Sequence, residues 1–438
     1  MDLQTFRDLL TPAGRDLLAE ACTAYEEHTA VALGTRLRRR HPPDLVAAAM
    51  TQAALRRRAQ VKWGEDAGRM FFTRDGLEQA TTGAVAAYRA GRIVDADCRL
   101  DPPETIAPET TGPPSPESSP ERGARIVDLC CGIGGDLIAL ARAGVQVTGV
   151  DTDPLTVAIA RANLAELDLA GHASVEQADA REVDRAAYSA AVADPARRSL
   201  RGRIFDSADY SPPWSFVEEL LRGDACVKTA PIIPHRLIPA GVEAEWISVG
   251  GEVKEAALWA GRLRTGVGDR RRATVLPAGG VPAGEAGEWA GQTGGWADRV
   301  TMTDADDPGG APVSPPLAYL YEPDGAVIRA GLVTGVAPLV DGSLLHPKIA
   351  YLTSDQLVST PFASAYRVVA VLPYDLKVLK RELRDREVGN LTVKKRGVDV
   401  DPQTLRKRLG VRGPGAATVV VTRSEQGTLA LLVDPTPA

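Results

Sequence analysis

The sequence of 438 residues predicts an α/β protein: a parallel, doubly wound sheet, with a helical region before it and a second, smaller α/β module after it. Three observations carry this. Apolar residues recur at helical spacing through the first 98 positions, short apolar strands alternate with helices from 125 to 278, and strands surround basic helices over 364–438.

The elements follow in chain order. "DLQTFRDLLTPAGRDLLAEA", "PDLVAAAMTQAALRRRAQVKWG" and "TRDGLEQATTGAVAAYRAGRI" predict a helical region over 1–98, with starts at Asp2, at Thr11 followed by Pro12, and at Thr73. Residues 99–124 are rich in Pro, Glu, Ser and Thr. Their apolar content is too low to offset the entropy of ordering, and they are expected to be a disordered linker. From 125 to 278 the chain reads as the strand "ARIVDL", the helix "DLIALARAG", the strand "VQVTGVD" and the helix "DPLTVAIARANLAELDL", with Pro154 in its first turn. The strands "ASVEQADA" and "YSAAVADP", the helix "SFVEELLRG" and the strand "ACVKTA" come next. "EWISVG" and "RRATVLP" read as strands flanking a helix, "EVKEAALWAGRL". Residues 279–311, dominated by Gly, Ala and acids, read as a loop insertion. A β-rich connection is expected over 312–363, and the last module over 364–438.

Composition narrows the class. With 44% hydrophobic and 25% charged residues the chain is expected to be soluble and globular. Its opening, "MDLQTFRDLLTPAGRDLL", has no basic segment leading into an apolar one, and nowhere do about 18 apolar residues run together. Neither secretion nor a membrane span is expected. Cysteines at 22, 98, 130, 131 and 226 form no recurrent spacing, which fits a reducing cytoplasm. With the histidines scattered, no metal site is expected. A net charge of −6 opposes a whole-surface attraction to nucleic acid but leaves room for a local basic face.

Chemistry is expected where the strand "RIVDL" runs into the loop "CCGIGGD" and then a helix. Backbone N–H groups and a helix N-terminus there face the carboxyl edge of the sheet, the usual seat of a nucleotide-like ligand. The spacing of Gly132, Gly134 and Gly135 departs from the dinucleotide fingerprint, and Asp136 would repel a pyrophosphate. Together with Asp128 at the strand end, Asp136 suits a ligand with a cationic end, as S-adenosylmethionine has. Asp151, twenty-three residues beyond Asp128, stands where a carboxylate accepts from ribose hydroxyls, a role that NAD would also use. Asp179 and Ala180 end the third strand, where a side-chain oxygen and a backbone N–H suit an adenine. Cys130 and Cys131 read as small residues packed under the loop.

Taken together, "VDLCCGIGGDLIALA", "VTGVDTDPLTVAIARANL", "QADARE" and "VADPARR" resemble the class I S-adenosylmethionine-dependent methyltransferases, which have a Rossmann-like sheet. The "DPARR" signature and the segment from 364, including "VGNLTVKKRGVDVDPQTLRKRLG", narrow the resemblance to bacterial methyltransferases with a C-terminal THUMP-like domain. It spans most of 60–438 outside the linker and insertion. It implies S-adenosylmethionine as cofactor, held by Asp128, Cys130, Gly132, Gly134, Gly135, Asp136, Asp151, Thr152, Asp179, Ala180 and Asp194. Asp194 and Pro195 are the expected catalytic pair at the end of the fourth strand.

Amino-methylating enzymes place prolines and an aromatic after such an acid. Here Ala196 and Arg197 follow, so Arg197 and Arg198 are expected to grip the substrate in place of a stacking ring. "SPPW" at 211–214 spells the amino-methylation motif but lies seventeen residues past Asp194, and Ser211 reads as a helix cap with Pro212 in the first turn. Tyr210 and Trp214 remain candidates for the missing aromatic face. Between 376 and 412 there are twelve Lys or Arg against five acids, Lys394, Lys395 and Arg396 among them, and "RLRRR" at 36–40 and "RRR" at 56–58 add a second basic region. With the THUMP-like resemblance these point to RNA, tRNA or rRNA, methylated at a base nitrogen. A small-molecule methyltransferase and a non-catalytic cofactor-sensing or RNA-binding protein are the competing readings.

Overall fold

The computed structural model describes residues 1–97, 124–197, 210–266, 268, 270–277 and 301–436. The expected linker lies outside the described residues except for Ala124, as do positions 279–300 of the expected insertion. The three expected helix starts are capped by side chains. Asp2 accepts from the Thr5 N–H ahead of α1 (Leu3–Leu10), Thr11 from Gly14 ahead of α2 (Pro12–Ala24), and Thr73 from Gly76 ahead of α5 (Arg74–Gln79). Each cap is worth about 1 kcal/mol. Between and after them lie α3 (Ala30–Leu37), α4 (Pro43–Trp63) and α6 (Gly83–Asp97).

The described residues fall into two units. The first takes them from Met1–Glu243 and Ala256–Gly266, the second from Ala244–Glu255, Val267–Ala278 and Gly294–Ala438. In the first unit, β1 (Arg125–Leu129), α7 (Gly135–Arg142), β2 (Gln146–Asp151), α8 (Pro154–Glu166), β3 (Ala173–Gln177) and β4 (Ala190–Ala193) alternate as expected. A short pair, β5 (Ala196–Arg197) and β6 (Tyr210–Ser211), then α9 (Trp214–Leu220) and β7 (Ala225–Thr229), complete the run. The strand order is β7-β4-β1-β2-β3, all parallel. β1 is buried along four of its five residues, as a parallel strand covered on both faces must be. Gly149 on β2 has a packing reason: a Cβ there would stand 3.0 Å from Cys131 Sγ and from Leu137 Cδ2.

"EVKEAALWA" is not a helix. Glu252–Ala260 form a strand, β9, whose Ala256–Ala260 portion pairs antiparallel with β7. Its last six residues are buried, and burial on both faces erases the alternation that marks a strand, leaving good helix formers that mimic the other period.

The helical region is not a domain apart. Phe6, Leu17, Trp63, Phe71 and Phe72 share one apolar cluster with Ile126, Leu137, Ile159 and Val192. One buried amide joins the parts, and another holds the helical region to itself. Asn163 on α8 accepts from the Phe71 N–H at 2.7 Å and donates to the carbonyls of Phe71 (3.2 Å) and Ile133 (2.9 Å). Gln52 on α4 exchanges hydrogen bonds with the backbone of Phe72.

In the second unit, β8 (Glu243–Val249) pairs in parallel with β10 (Arg271–Leu276) from Ala244 onward, and β10 pairs antiparallel with β11 (Thr301–Thr303). Thr301–Thr303 of the expected loop insertion are therefore a strand. A seven-stranded sheet follows, ordered β13-β14-β12-β15-β18-β17-β16, from β12 (Tyr319–Pro323), β13 (Ser343–Leu344), β14 (Leu352–Ser354), β15 (Ala363–Pro373), β16 (Val388–Arg396), β17 (Gly415–Ser424) and β18 (Gly427–Pro435). A short helix, α10 (Gly325–Ala330), follows β12. The basic helices α11 (Leu376–Asp385) and α12 (Pro402–Leu409) pack Leu379, Leu383, Leu405 and Leu409 against Leu391, Val393, Val419 and Val421. Among the described residues no helix is long and apolar enough to cross a membrane.

Candidate active site

The glycine loop leaves β1 in an unusual backbone conformation. Cys130, Gly132 and Gly134 take φ of 61°, 57° and 94°, and Gly135 then opens α7. The left-handed region suits the glycines and strains Cys130. Asp151 fixes the turn, its Oδ2 accepting from the Gly132 N–H at 3.1 Å and its Oδ1 from Asp153 at 3.0 Å. A Cβ on Gly135 would lie 3.4 Å from the indole of Trp63, so α4 closes directly over the start of α7.

Behind the loop sits a buried cluster of charges. Asp128 is 1% exposed, and its Oδ2 is buried with no hydrogen-bond partner. Burial, and then the neighbouring Asp136, push its carboxyl well above the ordinary carboxylate range. Burial presses Asp136 in the same direction, but the Arg89 guanidinium and the Lys228 ammonium outweigh it and leave that carboxyl below its usual value. Arg89 on α6 pairs with Asp136 Oδ1, both side chains being almost wholly buried. Lys228 on β7 donates to Asp136 Oδ2 at 3.3 Å, to Asp194 Oδ2 and to Thr81 Oγ1. Asp194 stands just beyond β4 with its side chain 38% exposed, followed by a buried Pro195.

Asp136 is therefore not open to a ligand's cationic end, as the sequence leads one to expect; the protein's own cations hold it. The remaining expected positions are mixed. Asp179 is gripped by Arg181 through both oxygens, which draws its carboxyl down to about 2, and Ala180 beside it is buried. Thr152 is exposed at the end of β2. Cys130 and Cys131 have thiols pushed well up, first by burial and then by nearby carboxylates.

Ser211 is not a helix cap. α9 begins at Trp214 with Pro213 at its N-cap, while Ser211 pairs with Ala196 and Tyr210 with Arg197, and the Ser211–Pro212 peptide that follows is cis. "SPPW" is thus brought beside "DPARR" despite its distance in sequence. Its aromatics face inward. Tyr210 is 2% exposed, its hydroxyl 2.8 Å from Thr229 Oγ1, and Trp214 packs edge-on against it at 5.3 Å, so neither presents an open stacking face. The side chain of Arg197 and the whole of Arg198 lie outside the described residues.

In the second unit, Lys394 and Arg396 point to one face of β16, where both meet Glu322; Lys394 also donates to the Tyr366 hydroxyl at 2.7 Å. Burial opposes the Lys394 charge, but Glu322 and Tyr366 hold its ammonium above the usual value. These two are structural ion-pair partners rather than open phosphate grips. Lys395 points to the other face and is exposed. The "RRR" run is likewise committed: Arg56 donates to the carbonyls of Met70 and Arg69 over the Phe71 ring, Arg57 to the carbonyl of Tyr25, and Arg58 pairs with Glu78.

A methyltransferase domain family matches residues 126–194 and a THUMP domain-like family residues 363–435; a domain of unknown function matches residues 2–59. An uncharacterized S-adenosylmethionine-dependent methyltransferase of Mycobacterium tuberculosis (strain ATCC 25618 / H37Rv) is 35% identical over 386 residues, spanning 86% of this chain and 92% of the relative. The chain belongs to the S-adenosylmethionine-dependent methyltransferases. The methyltransferase shares its fold with the crystal structure of a candidate methyltransferase from Porphyromonas gingivalis W83, at 21% identity and a TM-score of 0.67 over 94% of this chain and 100% of that one. A shorter stretch is 28% identical over 124 residues to the 23S rRNA (uracil(1939)-C(5))-methyltransferase of Nitrosospira multiformis, spanning 27% of this chain and 28% of that one.

S-adenosylmethionine is the cofactor of the methyltransferase. The carboxyl edge suits it, because a buried carboxylate oxygen without a partner asks for a cation and the left-handed loop turns backbone toward the same edge. Arg89, Thr81 and Lys228 are the members of this edge that sequence reasoning missed. A signal existed for two of them: Lys228 interrupts the apolar strand "ACVKTA" and Arg89 the apolar helix "GAVAAYRAG", and a charge that must be buried needs an opposite one nearby.

Proposed function

We propose that the methyltransferase modifies a base nitrogen of an RNA, tRNA or rRNA, by in-line methyl transfer. The observation that carries the reading is a basic surface on the THUMP-like module. Lys377, Lys380 and Arg381 on α11 and Arg406, Lys407 and Arg408 on α12 are all exposed, and none forms an ion pair among the described residues. On a chain of net charge −6 such a face attracts a polyanion. The THUMP-like match and the partial likeness to an rRNA methyltransferase support the same substrate class. A pyrimidine C5 acceptor would call for a thiolate to add to the ring first, and burial pushes the Cys130 and Cys131 thiols up, which favours nitrogen over that carbon.

The cofactor supplies a methyl group on a sulfonium, already a strong electrophile. Asp128 would take its ammonium; Gly132, Gly134 and Gly135, with Cys130, would bring backbone against the methionine part. Asp151 and Thr152 would face the ribose, and Asp179 and Ala180 the adenine. Lys228 holds Asp194 Oδ2 while the side chain stays partly exposed, so Asp194 would orient an acceptor N–H, and Pro195 would fix the backbone beside it. A carboxylate already paired with an ammonium is a better anchor than base, so the rate enhancement rests on alignment, which supplies roughly 7–11 kcal/mol in well-oriented systems. Asp136 would act at one remove, through Arg89 and Lys228.

Labelled cofactor, incubated with RNA from a strain lacking the gene and with RNA from its parent, tests the proposal. Label should enter a single nucleoside of the deletion-strain RNA only, and Asp194→Ala should abolish this while still binding cofactor. Label in small molecules alone, insensitive to salt, would point to the other class of acceptor.

A further inference from the structure

No side chain caps the N-terminus of α7. Gly134 stands at the N-cap, and the N–H groups of Gly135, Asp136 and Leu137 precede the first intrahelical bond, which Ile138 makes to the Gly134 carbonyl. Trp63, the last residue of α4, lies across this end. A Cβ in a helix tilts toward the helix N-terminus, and one on Gly135 would stand 3.4 Å from both Cζ2 and Cη2 of the indole. Nε1 is two bonds from Cζ2 on the same edge of the ring, so the indole N–H belongs to this set of donors. Trp63 is 7% exposed, and its Nε1 is buried with no hydrogen-bond partner among the described residues. Such a donor is rare in a folded chain and calls for an acceptor. We infer that the Trp63 indole N–H, together with the N-terminus of α7, receives the carboxylate of the cofactor's methionine part, so that the N-terminal helical region supplies a cofactor-binding residue. The inference rests on the carboxyl edge being the cofactor's seat.

The chemistry of the donors selects the group. An indole N–H donates and cannot accept, which rules out the ammonium as its partner. The ribose and adenine belong with Asp151 and Asp179 at the ends of β2 and β3, whereas α7 follows directly on the loop assigned to the methionine part. Free N–H groups and the positive end of a helix dipole favour an anion there. Asp136, the one acid in the first turn, is engaged by Arg89 and Lys228, so an arriving carboxylate does not meet an unpaired like charge. With the ammonium at Asp128, the two charged ends of one α-amino acid would meet opposite partners on either side of the glycine loop.

Calorimetric titration of the full chain tests this with S-adenosylmethionine and decarboxylated S-adenosylmethionine, which share the nucleoside, sulfonium and ammonium and differ in the carboxylate alone. The wild type should bind the complete cofactor at least about tenfold more tightly. Trp63→Phe keeps an aromatic ring and removes the N–H; it should weaken the complete cofactor about tenfold and the decarboxylated one about twofold or less. Nuclear magnetic resonance of the wild type, labelled with ¹⁵N at the indoles of its six tryptophans, gives a second readout that needs no variant to fold. One indole proton should move downfield with the complete cofactor and not with the decarboxylated one. Equal wild-type affinities, a loss in Trp63→Phe shared equally by the two ligands, or no indole proton that distinguishes them would overturn the inference while leaving the seat in place. Failure of the wild type to bind either ligand would overturn the seat and the inference with it.

Discussion

Asp128 folds into a place that opposes its own charge. A carboxyl whose pKa is raised on folding favours the folded chain while it is protonated: that contribution is complete below the ordinary value of about 4 and is lost as pH rises through the raised value. Asp128→Asn keeps the shape without the titration. It should melt at a higher temperature than wild type near pH 8 and at a similar one near pH 4, while losing affinity for S-adenosylmethionine. Thermal melts across that range check it, and a lower melting temperature for the variant near pH 8 would contradict the account. Cys130, a non-glycine residue at φ 61°, carries a separate strain. Cys130→Gly should raise stability by about 1 kcal/mol in a denaturant titration, since neither a disulfide nor a reactive thiol depends on it. Asp128, Asp151 and the glycines were legible because strand, loop and helix follow one another in sequence. Arg89, Thr81 and Lys228 reach the same edge from 39, 47 and 100 residues away from Asp128, and only tertiary packing brings them there.

At the scale of elements, polar side chains buried among apolar ones do the joining. Asn163 meets three backbone groups of Phe71 and Ile133, and all three would be left without partners in Asn163→Ala. The expected loss is about 3 kcal/mol or more, measured as a fall in denaturation midpoint, with Asn163→Asp only partly restoring it because two of the three bonds need the amide N–H₂. Most elements could be read from period and punctuation, and the caps at Asp2, Thr11 and Thr73 fell where the side chains predicted. β9 could not. A strand buried on both faces and composed of Ala, Leu, Glu and Lys offers no alternation and favours the helix by propensity, so only its neighbours decide it. The 211–214 motif was misjudged for a related reason: distance in sequence said nothing about β5 and β6 pairing.

For the whole molecule, the N-terminal helical region shares one core with the parallel sheet. A chain beginning at Ala124 would expose the surface that Phe6, Trp63, Phe71 and Phe72 cover and would leave Asp136 without Arg89. It should be insoluble or lack a cooperative unfolding transition, and a well-folded, cofactor-binding fragment would show the shared core to be dispensable. The basic face makes a different demand. Lys407→Ala with Arg408→Ala should weaken RNA binding about equally for all sequences and reduce the slope of log affinity against log salt by roughly 2. Its basic character was readable from composition over 376–412, but which cations stay open was not, because Glu322, which engages Lys394 and Arg396, lies far upstream in β12.

The closeness of Trp63 to Gly135 has a practical side. An indole in contact with the first residue of α7 senses any shift of the loop in front of it, so its emission is a label-free optical readout of ligand arrival, one that Trp63→Phe should silence.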